Sequence, residues 1–496
     1  MEIGFSDIKV DYIFCYLKSK LYIVIYFMQF DFIIIGSGPA GSILAKELSK
    51  SGFKIALVDR AQNENPTSIN DFFCPYVDKS PSFYTPIFSD RLGGNSALWH
   101  SKIYLLSKAE VEKYNWHIKY EELEDYSKKL SIALNIDSNL INRSETIANK
   151  EYRYSLRAKF RNLYNYFEID TNNKITIFKG YSPIKLSIDD ESVNKIIIKN
   201  FNNEERILSV NHSIIFCAGG LGNPHLLLNL MPTKNVNLGK YLSDHPHVNL
   251  GKIIEKNIQK YHKIAKPNIK LNLKIKDQNE IALILKKDRY FSGIQLDYKV
   301  DPIRKIRRLF IKIKNLPLRR FIVFFSFFFT KLNGLFFKFG YLIGKYYKYS
   351  FEFFFSQEPI IENQVYLSKK KDEFGLKKIS INWQFSKNDL NNYNHMIKEA
   401  IEVDGDLAIF KDKIDFKKNF TKHGLSGLHP SCTTKIGLDE NSGVVDKNLK
   451  MFKYKNIFVC GSSVFPFNGF TNPTWTIMSL AFRLSDHLKK ICLNKK

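Results

Sequence analysis

Three glycines, Gly36, Gly38 and Gly41, stand at the spacing G-x-G-x-x-G inside "FDFIIIGSGPAGSILAKELSKSGFKIALVDR", and an acid, Asp59, closes the next apolar run. Those residue types at that spacing bind the pyrophosphate of a dinucleotide. Gly36 permits the tight turn, Gly38 lets main chain approach the phosphates, and Gly41 allows close helix packing. Asp59 is placed to take an adenosine ribose hydroxyl. Ser37, Pro39 and Ala40 within the loop, and Arg60 beside the acid, complete the predicted cofactor contacts at this end. Read on its own, the pattern leaves nicotinamide and flavin dinucleotides both open.

Chemistry at that turn needs a strand before it and a helix after it. Phe32 to Ile35 read as a buried parallel strand. The segment from Pro39 reads as a helix whose N-terminus faces the phosphates with its positive dipole end. "KIALVD" reads as the next strand. Far down the chain "NIFVCGSS" reads as a strand entering a Gly/Ser turn, followed by the helical stretch "TNPTWTIMSLAFRLSDHLKK". Pro473 fits its first helical position, with Thr471 or Asn472 as cap. Trp475, Met478, Ala481, Phe482 and Leu488 form its apolar face, and Lys489 and Lys490 suit its negative end.

Five blocks in this order resemble the glucose–methanol–choline (GMC) oxidoreductases from Phe30 to Lys490. They are the fingerprint above, "RLGGNSALWH" at Arg91, "SIIFCAGGLGNPHLLL" at Ser213, "NLGKYLSDHPHV" at Asn237, and the paired C-terminal segments that include "LHPSCTTKIG". The stretch "SQEPIIENQVYLSKKKDEFGLKKISINW" is similar to the family's substrate-domain strands. The ending is closest in look to bacterial sugar- or polyol-oxidising members.

The resemblance implies FAD, held non-covalently. It implies an α/β fold of α+β composite character, in which a Rossmann-like FAD-binding domain with a parallel sheet joins a substrate domain with an antiparallel sheet covered by helices. The FAD-binding domain would comprise 28–110, 170–250 and 437–496. The substrate domain would comprise 111–169 and 251–436, with a basic aromatic insertion at 303–349. Further cofactor contacts would come from Gly94, Asn95 and Ser96, from Ala218 and Gly219, from Gly461 and Ser462, and from Asn472, Pro473 and Thr474. Some members attach flavin covalently through a histidine near the second Gly-Gly glycine. Here Leu98 and Trp99 occupy that zone, with His100 just after.

The implied reaction oxidises a CH–OH group by hydride transfer to flavin N5. The residue matching the family's base is His429, and its partner position is Asn472. A neutral imidazole can take a proton at physiological pH. The Asn472 amide can both donate to and accept from the substrate oxygen. The sequence departs from the family at Cys432-Thr433 and Lys435-Ile436, and Gly461 stands where an acid is common. These departures bear on substrate identity. Asp244 to His247, "DHPH", looks like a metal cluster, yet no second ligand group supports one. No metal site is predicted, and a structural or FAD-proximal role is expected.

The chain of 496 residues carries a net charge of +26. Between Pro302 and Ser350 twelve lysines and arginines meet no acid, and "RRFIVFFSFFFTK" lies among them. The apolar run is too short to span a bilayer. Interleaved Phe and Lys/Arg suit a membrane interface with anionic headgroups. Buried hydrophobic helices with solvated lysines are the other reading. The partners expected are a small-molecule or lipid-linked alcohol, an electron acceptor that the sequence does not identify, and a peripheral membrane surface at 303–349. Nothing resembles a base-reading nucleic-acid module.

The six cysteines, Cys15, Cys74, Cys217, Cys432, Cys460 and Cys492, show neither disulfide nor metal spacing. They fit a reducing, cytoplasmic setting, with peripheral attachment at the inner membrane face. Met28 reads as the true start and residues 1–27 as an artefact or a short tail. Two further readings stand beside the oxidoreductase: a catalytically inactive flavin-fold scaffold that binds membranes, and a different flavoenzyme without need of the His/Asn pair.

Overall fold

The computed structural model describes residues 27–62, 74–98, 101–141, 144–147, 150–158, 160, 162–232, 235–253, 280–287, 290–297, 350–404, 408–410, 415–424 and 426–494. The aromatic insertion 303–349, the N-terminal residues 1–26, Trp99 and His100 lie outside them.

Two large sheets organise the chain. In the first, five strands run parallel in the order Ile175–Lys179, Ile55–Asp59, Phe27–Ile35, Glu205–Phe216, Ile457–Val459. Tyr181–Asp189 and Ser192–Asn200 extend it antiparallel, beside the N-terminal half of Glu205–Phe216. Phe32, Ile33 and Ile34 are buried completely, as a strand covered on both faces must be. The strand starts earlier than the apolar run predicts: Met28 pairs with Leu208 inside the ladder. Parallel pairing supplies partners for backbone groups beyond the purely apolar stretch.

The second sheet is antiparallel. Its order is Ala408–Phe410, His247–Ile253, Ser350–Phe355, Tyr290–Asp297, Glu280–Lys287, Lys150–Arg157 and Lys102–Ile103, with Ser144–Ile147 beside Lys150–Arg157. The helices Lys387–Asp404 and Phe416–His423 pack against it. The predicted strands after Gln357 form a separate small sheet, Gln364–Lys371 with Lys377–Asn382 and Val77–Lys79.

Helix Pro39–Lys50 packs against the last helix, Thr474–Leu493. The latter is tied down by Trp475 Nε1 donating to Ser127 Oγ (2.7 Å) and by Arg483 Nε donating to Glu122 (2.7 Å). It begins one residue later than predicted. Pro473 is its N-cap, and no side chain caps it, since proline carries no side-chain acceptor. Among the described residues no helix is long and apolar enough to cross a membrane.

Candidate active site

The C-terminal ends of the parallel strands deliver the fingerprint loop, the Ala218–Gly219 turn and the Gly461–Ser462 turn to one edge of the sheet. The chain shapes the first loop through contact distances. A Cβ on Gly41 would stand 1.8 Å from Gly36 O, and one on Gly36 (φ +104°) would stand 2.6 Å from Cys217 O. Gly38 differs, because a Cβ there would meet nothing within 4 Å. Gly94 faces it, with its own Cβ position 3.4 Å from Gly38 Cα. On the other side the Cβ position of Gly461 is 3.7 Å from Gly219 Cα, and Gly219 also opens on free space. Main chain from four separated segments thus borders one cradle that side chains would fill. The first turn of helix Pro39–Lys50 carries no acid and no side-chain cap. Its orphan N–H groups face the region a diphosphate needs. These features fit a dinucleotide.

Asp59 anchors the loop. Its Oδ2 accepts from Ser37 N (2.7 Å) and Ser37 Oγ (2.6 Å), and its Oδ1 accepts from Ala61 N (2.8 Å). A carboxylate accepts about four hydrogen bonds, so capacity for a ribose hydroxyl is left. Burial raises its pKa, against the Ser37 donors that lower it. Ser37 Oγ also accepts from Gly93 N (2.8 Å), joining the "GGNS" segment to the fingerprint.

Three predicted side chains already have partners within the chain. Asn95 turns back into its own loop, accepting from Ser89 N (2.8 Å) and donating to Ile87 O (2.9 Å), and Ser96 Oγ donates to Gly93 O (2.6 Å). What this segment has left for a cofactor is main chain. Arg60 lies over the rings of Tyr76, Phe88 and Phe374 and pairs with Glu373, with Asp372 3.9 Å away. A guanidinium held this way braces the wall near Asp59. Pro39 and Ala40 form the first helical turn, and Pro473 and Thr474 start the last helix.

His429 and Asn472 come together. Asn472 Nδ2 is 3.4 Å from His429 Nε2. An amide nitrogen only donates, so Nε2 presents its lone pair in this arrangement. Both residues are half-buried.

The loop carrying His429 is held by the first residue of "DHPH", the segment for which a structural or FAD-proximal role was expected. Asp244, fully buried, accepts from His245 N (2.7 Å), Gly427 N (2.8 Å) and His429 N (3.2 Å). Burial pushes its pKa up to about 7. Gln357 Oε1 accepts from Asp244 N (3.3 Å) and from Trp383 Nε1 (2.8 Å), tying the Asp244 main chain to the buried Trp383. The "DHPH" histidines arrive with it. The His245 ring lies 4.9 Å from the His429 ring at 72°, and that of His247 lies 6.3 Å away. Among the described residues no His, Cys, Asp or Glu group could hold a metal ion.

Asn223 was also missed. Its Oδ1 accepts from Ala218 N (2.7 Å) and its Nδ2 donates to Ser463 Oγ (2.8 Å), joining the two turns that border the cradle. The only sequence signal was its place after the Gly-Gly turn. Ser462 Oγ donates to Pro430 O (2.8 Å), linking that turn to the His429 loop. Cys432 is completely buried and its thiol is pushed up to about 12 by burial, so it packs as a small apolar group. A cavity of about 550 Å³ between Asn211 and His487 contains none of these residues.

The GMC oxidoreductase family model matches residues 359–481, and the FAD binding domain model matches residues 29–70. A curated relative, 6'''-hydroxyparomomycin C oxidase of Streptomyces lividus, is 28% identical over 133 residues, 26% of this chain and 23% of that protein. The match therefore spans under a quarter of that relative's length. Among solved structures, formate oxidase of Aspergillus oryzae RIB40 superposes with a TM-score of 0.62 at 13% identity, over 94% of this chain and 99% of that one. Pyridoxine 4-oxidase of Mesorbium loti gives 0.59 at 12%, over 92% and 98%. An FAD-dependent oxidoreductase of Chaetomium thermophilum gives 0.63 at 13%, over 94% and 100%. At these identities the likeness speaks for the fold.

Proposed function

We propose that this chain, an FAD-binding flavoprotein of the GMC oxidoreductase type, oxidises a CH–OH group of a sugar, polyol or lipid-linked alcohol. The observation that carries the reading is the 3.4 Å approach of Asn472 Nδ2 to His429 Nε2 beside the glycine-bordered cradle. Bound FAD supplies the acceptor for a hydride. The residues of this chain do the rest. His429 Nε2 takes the hydroxyl proton as the C–H bond gives up its hydride. Asn472 holds the same oxygen, so the carbon is presented in one orientation. The last helix, with no side-chain cap and no acid in its first turn, turns its positive N-terminal end toward negative charge that builds up nearby. Asp244 holds the main chain of His429 through its N–H, so the base stays in place without touching substrate.

Which alcohol is used, and whether it is soluble, is read from anaerobic bleaching of the flavin band. Soluble sugars and polyols are added in turn, then membrane lipid extract. The reading requires bleaching by one of these in the parent and its near loss in His429→Ala with the flavin still bound. Bleaching that is equally fast in His429→Ala would reject His429 as the base.

Membrane contact through 303–349 belongs to the same proposal. The twelve cationic side chains and the absence of acids there support it. Flotation with anionic liposomes should be lost when 303–349 is deleted, and equal flotation of both forms would remove the membrane from the reading.

A further inference from the structure

We propose that Asn468 is a flavin-reading residue whose carboxamide pairs with the imide edge of the isoalloxazine ring, Nδ2 donating to a ring carbonyl and Oδ1 accepting from the ring N–H. Asn468 is 0% exposed, yet neither Nδ2 nor Oδ1 has a hydrogen-bond partner among the described residues. Buried polar side-chain atoms in folded proteins are nearly always paired. A primary amide buried with both ends unmet points to a ligand that meets both.

Position narrows the choice of ligand. Asn468 lies in the connection between the Gly461–Ser462 turn and Asn472, so the cradle and the proposed base pair flank it. Both chain neighbours are pinned. Phe467 stacks on Tyr114 at 3.6 Å and 5°. Gly469, at φ +65°, accepts from His245 Nδ1 at 2.9 Å, and a Cβ there would stand 2.5 Å from Leu106 and 2.6 Å from Glu110 Oε1. The Asn468 main chain is therefore set by its surroundings, and its amide has no solvent to turn to.

His245 adds a further unmet atom at the same loop. A carbonyl only accepts, so His245 Nδ1 carries the proton and Nε2 is a bare acceptor. Nε2 has no partner among the described residues, and the residue is 1% exposed.

The ligand must therefore be buried and polar at this edge. A planar imide places an N–H beside carbonyl oxygens, which is the complement of a carboxamide's C=O and NH₂ side by side. An isolated hydroxyl does not offer that fixed pair. The inference goes beyond the alcohol-oxidation reading and does not require it, because it concerns flavin affinity alone.

The test uses the full chain stripped of flavin, with Asn468→Leu and Asn468→Ala. FAD affinity is measured by quenching of flavin fluorescence, and stability of the flavin-free protein by thermal melting. Two neutral hydrogen bonds predict a rise in the FAD dissociation constant of about 30-fold. In the same variants the flavin-free protein should melt at the parent's temperature or above it, because two unmet polar atoms have been removed. The two signs are opposite, and a merely structural asparagine would not produce that combination. A dissociation constant within about threefold of the parent's in a variant that keeps its melting temperature overturns the proposal. So does a loss of affinity accompanied by a lower melting temperature in both variants, because the amide would then be supporting the chain's own fold.

Discussion

Asn472 Nδ2 approaches His429 Nε2 to 3.4 Å across 43 residues of chain, and the two arrive from unlike directions. His429 comes on an irregular loop held by the buried Asp244 carboxyl group. Asn472 comes just ahead of a long helix anchored at Ser127 and Glu122. The proposed base and the proposed orienting amide are thereby held on separate supports. Each can be altered without dismantling the other.

Removing the base tests the first support. His429→Ala should slow anaerobic flavin reduction by about 10²–10⁴-fold, the usual worth of a positioned general base. Stopped-flow absorbance would measure this. FAD content should match the parent, because the cradle is built from other segments.

The orienting amide acts on geometry. Asn472→Ala should lower the reduction rate by about 10²-fold through misplacement of the reacting oxygen. Asn472→His, which restores a donor and an acceptor at the same place, should recover part of that loss. The helix cap itself should be little affected, since Asn472 is not capping it. Equal melting temperatures of the parent and both variants would bear this out.

Asp244 makes a statement about pH. Its folded pKa is raised from 3.8 to about 7, chiefly by burial. A carboxyl raised this way is protonated in the fold while already ionised in the unfolded chain. Its contribution is complete below about pH 4 and is lost as pH rises toward 7. The stability of the parent relative to Asp244→Asn should therefore fall across that window and level off above it. Denaturant unfolding of both proteins at several pH values would give the slope. A difference that does not change with pH would contradict the burial argument.

Two glycines of one motif should fail in different ways. Gly41→Ala forces a Cβ to 1.8 Å from Gly36 O and should destabilise the protein itself. Gly38→Ala meets nothing within 4 Å in the chain. It should fold with a near-parental melting temperature while its FAD affinity drops by tenfold or more (~1.4 kcal/mol), because the methyl group would project into the cradle. Thermal melting and flavin binding, measured on both variants, separate the two effects.

The strand, turn, helix and second strand around Gly36, Gly38, Gly41 and Asp59 were legible from the sequence alone, and so was the dinucleotide cofactor. Local rules govern that unit: a buried apolar run, glycine where main chain must crowd, and an acid at the next strand end. The pairing of His429 with Asn472 was foreseen through motif resemblance. What lies around it was decided only by tertiary structure. Asp244 reaches Gly427 and His429 across 183 and 185 residues, and no periodicity records a hydrogen bond of that span. "DHPH" reads as a lone cluster until antiparallel pairing of His247 with Phe354 brings it beside His429. The Asn95 side chain reads as available until its neighbours' backbone groups take both its ends. Arg60 reads as a cofactor contact beside Asp59, and only the fold shows three rings and two acids around it. Composition and spacing fix which groups a chain owns. Which of them are already satisfied, and which are left for a ligand, depends on burial and on partners that only the folded chain brings together.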